Sequence, residues 1–204
     1  VNESGLTGGS EAATDKETTT GQISVTAPDG IATVTIGGTS FTVADLTGFT
    51  TTTPSMAIST VEGDLVITGI TAVIGNPAAP TEFKVEYTYT LKAAQNQPGA
   101  TNSTDAVTLQ VEDRNGATAS GTFTIQIIDD TPAATVDASS VKATETLTVA
   151  AANGVLKNDV SGADGWAVGG GVVGVVKGSG GTPTTGINTD IAGDYGTLKL
   201  QADG

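Results

Sequence analysis

The chain has 204 residues, 37% of them hydrophobic and 4% aromatic, with 28 glycines and neither cysteine nor histidine. Its formal charge of −14, from 22 acidic against 8 basic residues, excludes the basic footprint that nucleic acid requires and argues against anionic membrane surfaces. Without cysteine there is no disulfide scaffold or thiolate zinc. Without histidine there is no serine–histidine–aspartate triad or HExxH zinc helix, so an enzyme is the last reading to consider.

The length suits one large β-domain or two modules of about 100 residues each. No stretch keeps a helical apolar period, while Val and Thr favour strands and Gly supplies turns. Residues 1–20 are polar, with Glu3 in front and Glu11, Asp15 and Glu17 behind it. Ile23 and Val25 alternate with Ser24 and Thr26, Pro28-Asp29-Gly30 reads as a turn, and Val34 and Ile36 alternate beyond it, which predicts a hairpin. Residues 37–63 read as loop, and Leu65, Ile67 and Val73 as the next strand. The clearest strand runs Phe83, Val85, Tyr87, Tyr89, Leu91, with Lys84, Glu86, Thr88 and Thr90 facing out. After a polar loop over 93–104, Val107, Leu109 and Val111 lead into Asp113-Arg114-Asn115-Gly116, where Asn-Gly signals a tight hairpin returning through Phe123, Ile125 and Ile127. About seven short, half-buried strands predict an antiparallel β-sandwich.

Asp129-Asp130 then stop the apolar run, and Pro132, which lacks an amide hydrogen, ends the ladder and sends the chain on extended. Two adjacent carboxylates repel unless neutralised, so this is either a solvated acidic linker or one side of a hard-cation site. The expected organisation is all-β: a complete module over 1–131 and a partial one over 132–204. In the second, Val136-Asp137, Leu147-Thr148-Val149 and Leu198 with Leu200 read as strands, Asn153-Gly154 as a turn, Asn158-Asp159 with 162–165 as an acidic loop, and 168–181 as glycine clusters between paired valines. No run is long and apolar enough to cross a membrane, and the pattern is already under way at Val1, so the sequence reads as a piece of something longer.

The residues then carry a family likeness. Val111-Glu112-Asp113-Arg114-Asn115-Gly116, the Ser/Thr-rich return 119–125 and the closing Asp129-Asp130-Thr131-Pro132, together with the opening Val1-Asn2-Glu3-Ser4-Gly5-Leu6, resemble the repeated extracellular modules of large RTX-type, type I-secreted bacterial adhesins. Leu147-Thr148-Val149, 153–159 and Tyr195-Gly196-Thr197-Leu198-Lys199-Leu200-Gln201-Ala202-Asp203-Gly204 are similar to a cadherin-like repeat of the same giant proteins. Arg114, between the ligand positions of the turn, and a 158–165 loop poorer in Asp depart from that pattern. The resemblance implies calcium-bound Ig/cadherin-like β-sandwiches strung end to end on a cell surface, with neighbouring modules as partners and attachment and biofilm formation as the role. Host-cell or surface ligands would be reached through adjacent domains.

Calcium takes six to eight oxygen ligands, which Asp, Glu, Asn and carbonyls supply. The expected entry cluster is Glu3, Asp113 and Asn115, and the expected exit cluster is Asp105, Asp129 and Asp130, completed by Asp137 or Glu145. Asp159 and Asp164 are further candidates. Asp113 reads equally as a turn residue. An alternative from another class is that the second unit is half of a split domain, a scaffold carrying an inserted carbohydrate-, peptide- or ice-binding domain.

Overall fold

A computed structural model describes residues 1–97, 99, 101–178, 180 and 183–204. Pro98 and Ala100 of the expected polar loop, and Ser179 and Gly181 of the glycine-rich run, lie outside the described residues. The described chain divides into two compact units, Val1–Thr7 with Glu11–Asp130, and Gly8–Ser10 with Thr131–Gly204. The architecture is all-β, with antiparallel sheets and, among the described residues, a single six-residue α-helix.

The first unit contains β1 (Thr18–Thr26), β2 (Ile31–Ile36), β3 (Thr39–Thr42), α1 (Val43–Gly48), β4 (Ile58–Ser59), β5 (Gly63–Asn76), β6 (Ala79–Leu91), β7 (Ser103–Asp113) and β8 (Thr118–Ile127). These build two four-stranded sheets, in the orders β1-β6-β5-β4 and β3-β2-β7-β8. The two-residue period decides which side chains enter the core. Ile23 and Val25 of β1, Leu65 and Ile67 of β5, and Phe83, Val85, Tyr89 and Leu91 of β6 are buried from the first sheet. Ile31, Val34 and Ile36 of β2, Val107 of β7, and Ile125 and Ile127 of β8 are buried from the second. Each such side chain contributes about 1.5–3 kcal/mol when fully buried. Side chains of the two sheets meet directly. The Tyr87 and Phe123 rings lie 5.4 Å apart, and the Tyr89 hydroxyl donates to the Asp105 carboxylate at 2.7 Å.

The expected β1–β2 hairpin does not form. β1 pairs with β6, and β2 with β3 and β7, so the Pro28-Asp29-Gly30 turn carries the chain from one sheet to the other. A turn sequence specifies a change of direction, and the partner is then chosen by which strands bury the most. Residues 37–63 hold more order than their composition suggests. Thr42 and Asp45 close a capping box, with the Thr42 amide donating to the Asp45 carboxylate at 2.8 Å and the Asp45 amide to the Thr42 hydroxyl at 3.2 Å. That cap holds a helix too short to show a period, and it drives Leu46 into the core.

The chain's first residues run beside its exit from β8. The Val1 amino group donates to the Gln126 carbonyl at 2.9 Å, the Ile128 amide to the Val1 carbonyl at 3.0 Å, and the Glu3 amide to the Ile128 carbonyl at 3.0 Å. Asn2 and Ile128 thus form a parallel bridge, and the Asn2 side chain accepts the Ser4 amide at 2.9 Å to start a 3-10 turn over Glu3–Gly5.

The second unit is poor in strands. Among its described residues β9 (Asp190–Ala192) and β10 (Thr197–Lys199) form a two-stranded antiparallel sheet, and Ala133 and Val160 form an isolated bridge. Val136, Leu147 and Val149, expected in strands, are exposed and lie in no described strand. Alternation alone does not make a strand; it needs a neighbour to complete its ladder.

Candidate metal centre

The parallel pairing of residues 1–3 with the end of β8 sets Glu3 beside Asp129, with a carboxylate oxygen of each within 4.8 Å of the other. Glu3 is fully buried, and its Oε1 accepts the Gln95 amide at 2.7 Å. Asp130, the next residue, is also buried. Glu11 faces the same end, accepting the Lys16 ammonium and, at 3.1 Å, the Ser4 hydroxyl. The Lys16 bond, then the Ser4 bond, hold the Glu11 carboxyl below its usual range, against the opposing push of Asp130. Glu17 is half-buried and packs where a Gly5 side chain would stand, and its Oε2 is buried with no hydrogen-bond donor among the described residues.

Two carboxylate oxygens at that spacing suit a hard cation, because metal–oxygen bonds of about 2.3–2.6 Å allow ligands of one calcium to stand up to about 5 Å apart. The donor set is all oxygen, with no sulfur or imidazole to favour a softer metal.

The remaining candidates are placed as follows. Glu3 does not join Asp113 and Asn115. It lies where β8 ends, whereas Asp113 closes the far end of β7, eleven residues long from Ser103, which pairs with Ile127. The expectation failed because it put the chain's entry at the turn end of the sheet. The Asp113 carboxylate instead holds its own hairpin, accepting the Asn115 amide at 2.8 Å and the Ala117 amide at 2.9 Å. Asp105 is on β7 at the exit end, but its side chain turns into the core, where Oδ2 accepts from Tyr89, from Thr60 and, at 3.3 Å, from the Glu62 amide. In the second unit Asp137, Glu145 and Asp164 are exposed, and Asp159 accepts the Thr135 amide at 2.6 Å. Glu11 is visible in the sequence as part of an acidic cluster but not as a neighbour of Asp130, because no local pattern records that approach.

The Tyr89 hydroxyl is pushed well above its ordinary value, first by burial and then by its bond to Asp105. Burial raises Tyr87 in the same direction. An unfolded tyrosine ionises near pH 10 (about 10), while folded Tyr89 keeps its proton. Its contribution is therefore present below that pH and is lost as pH rises through the folded value. The melting midpoint should therefore fall as pH rises above about 10. Tyr89→Phe should flatten that fall in part, leaving the share due to Tyr87. Parallel melting curves for the two proteins across this range would refute the assignment.

No described helix is long and apolar enough to cross a membrane. No family model, curated protein or solved structure matches the chain.

Proposed function

We propose that the first unit is a calcium-rigidified β-sandwich of the Ig/cadherin-like kind, a structural module of a large RTX-type bacterial adhesin displayed outside the cell. Export by type I secretion, attachment and biofilm formation belong to the same reading, with neighbouring modules of the adhesin as partners. The observation that carries it is the meeting of Glu3 with Asp129, which brings carboxylates from the two ends of the unit within reach of one ion. When bound, calcium supplies positive charge that offsets the repulsion among these acids. Glu3 and Asp129 are the residues that would hold it, with Asp130 adding negative potential beside them. The 3-10 turn positions Glu3, and the Gln95 amide orients its carboxylate, so the entering chain is clasped to the departing one. That clasp makes the end of the unit stiff.

An extracellular-module affinity, with Kd about 10⁻⁴–10⁻³ M, gives only about 1.4 kcal/mol per site at tenfold excess calcium. The test is thermal melting after exhaustive chelation, with calcium or magnesium added back. Calcium should raise the midpoint more than magnesium does, and Glu3→Gln with Asp129→Asn should remove the difference without unfolding the unit. An unchanged midpoint in the parent protein would overturn the reading.

A further inference from the structure

β8 is the last strand of its sheet. One edge is paired with β7 without a register break from Ser103↔Ile127 to Glu112↔Thr118. Among the described residues the other edge carries only Val1–Glu3, along residues 126–128. Among the described residues no strand covers it from Thr118 to Ile125. Thr118, Ala119, Ser120, Gly121, Thr122 and Thr124 are all exposed. Sheet edges are commonly closed by prolines, inward charges, bulges or a covering loop. The Thr-Ala-Ser-Gly-Thr-Phe-Thr-Ile run has no proline and no charge, and its pairing with β7 shows no bulge.

The core face is also left open there. Ala119 and Gly121 fall on the same face as buried Ile125 by the two-residue period, yet both are exposed. Their partners on β7, Val111 and Leu109, are only half-buried. A strand laid on this edge would pair the open amides and carbonyls and cover that apolar face with every second side chain.

We propose that the β8 edge from Thr118 to Ile125 is a strand-acceptor site for an extended polypeptide segment that runs parallel to β8 and leads into Val1. The direction follows from the ladder already present, because Val1–Glu3 is bonded in parallel on the same edge and fixes the register of whatever extends it. Alternate residues of the segment are apolar and face inward over Ala119 and Gly121, and the others are small or hydroxylated like their β8 neighbours. Main-chain hydrogen bonds supply the affinity and the inward residues the selectivity, as in other cases of strand addition. A second copy of the chain is a poorer occupant, since each copy carries a net charge of −14. The proposal does not rest on calcium at Glu3 and Asp129, because exchange is read with the cation removed.

The experiment places a Thr-Val alternating extension of about eight residues directly ahead of Val1 in the full chain and follows amide hydrogen exchange in β8, read in chelator. The β8 amides that face away from β7 should exchange at least about tenfold more slowly than in the parent. An extension of equal length with proline at every second residue, which cannot donate to the ladder, should give no slowing. The proposal is overturned if exchange is the same with and without the Thr-Val extension, or if the proline version slows it equally. Slowing in the parent that grows with protein concentration would assign the edge to a second copy instead.

Discussion

Asp105→Ala should destabilise the first unit by about 3 kcal/mol, read as a drop in the denaturant midpoint. Asp105 is 1% exposed, and its Oδ2 collects the Tyr89 hydroxyl, the Thr60 hydroxyl and the Glu62 amide. Hydrogen bonds to a charged group contribute about 1.5–3 kcal/mol each, and a buried donor left without an acceptor costs about 1–3 kcal/mol. The donors are not equal. Thr60 can turn to the Gly63 carbonyl, 2.9 Å away. Tyr89 is wholly buried and has its hydroxyl fixed on Asp105, so its loss dominates. Tyr89→Phe alone should cost about 2 kcal/mol, since the carboxylate keeps two donors. The double variant should cost less than the sum, because each substitution removes the group the other leaves unsatisfied. Strict additivity would mean that the two side chains are not coupled. An Asp105→Ala midpoint indistinguishable from the parent would mean that the carboxylate is solvated.

The role of Asp105 could have been read from the sequence. Asp105, Val107, Leu109 and Val111 share one parity, so the residue lies on the apolar face of its strand, which the adjacency of Asp129-Asp130 at the same end obscured. The β6 strand was legible because five apolar residues at two-residue spacing leave no other reading, and the 113–116 hairpin because Asn-Gly fits a tight turn. Strand pairing was not legible. β1 and β2 both alternate, and nothing in either shows that they belong to different sheets. The candidate centre was half legible for the same reason. Asp129 and Asp130 announce themselves by position, but Glu3 reaches them through a parallel bridge between Asn2 and Ile128, far apart in sequence. In the second unit the alternating Leu147 and Val149 promised a strand, and without a ladder partner they remain exposed.

Gly63→Ala should cost about 2–4 kcal/mol for a single added methyl, through overpacking and loss of the Tyr89–Asp105 bond together. Gly63 opens β5 opposite Leu91, and a Cβ there would overlap the Tyr89 ring and its hydroxyl and stand 2.7 Å from the Thr90 carbonyl oxygen. The backbone is in no left-handed conformation, so the penalty is steric. Tyr89 has little freedom to retreat, being held by the surrounding core and by Asp105. Gly63 also ties the preceding turn, donating to the Thr60 hydroxyl at 2.9 Å while its carbonyl accepts the Thr60 amide at 2.9 Å. Gly121→Ala is the matched control, on a strand of the other sheet where a Cβ would meet nothing within 4 Å. It should be neutral, or stabilising by up to about 1 kcal/mol through the smaller entropy of the unfolded chain. In a Tyr89→Phe background the Gly63→Ala cost should shrink, because the hydroxyl that the methyl strikes is gone. Equal midpoints for Gly63→Ala and Gly121→Ala would mean that Tyr89 is free to move, and the Tyr89–Asp105 link between the sheets would then lose its claim to rigidity.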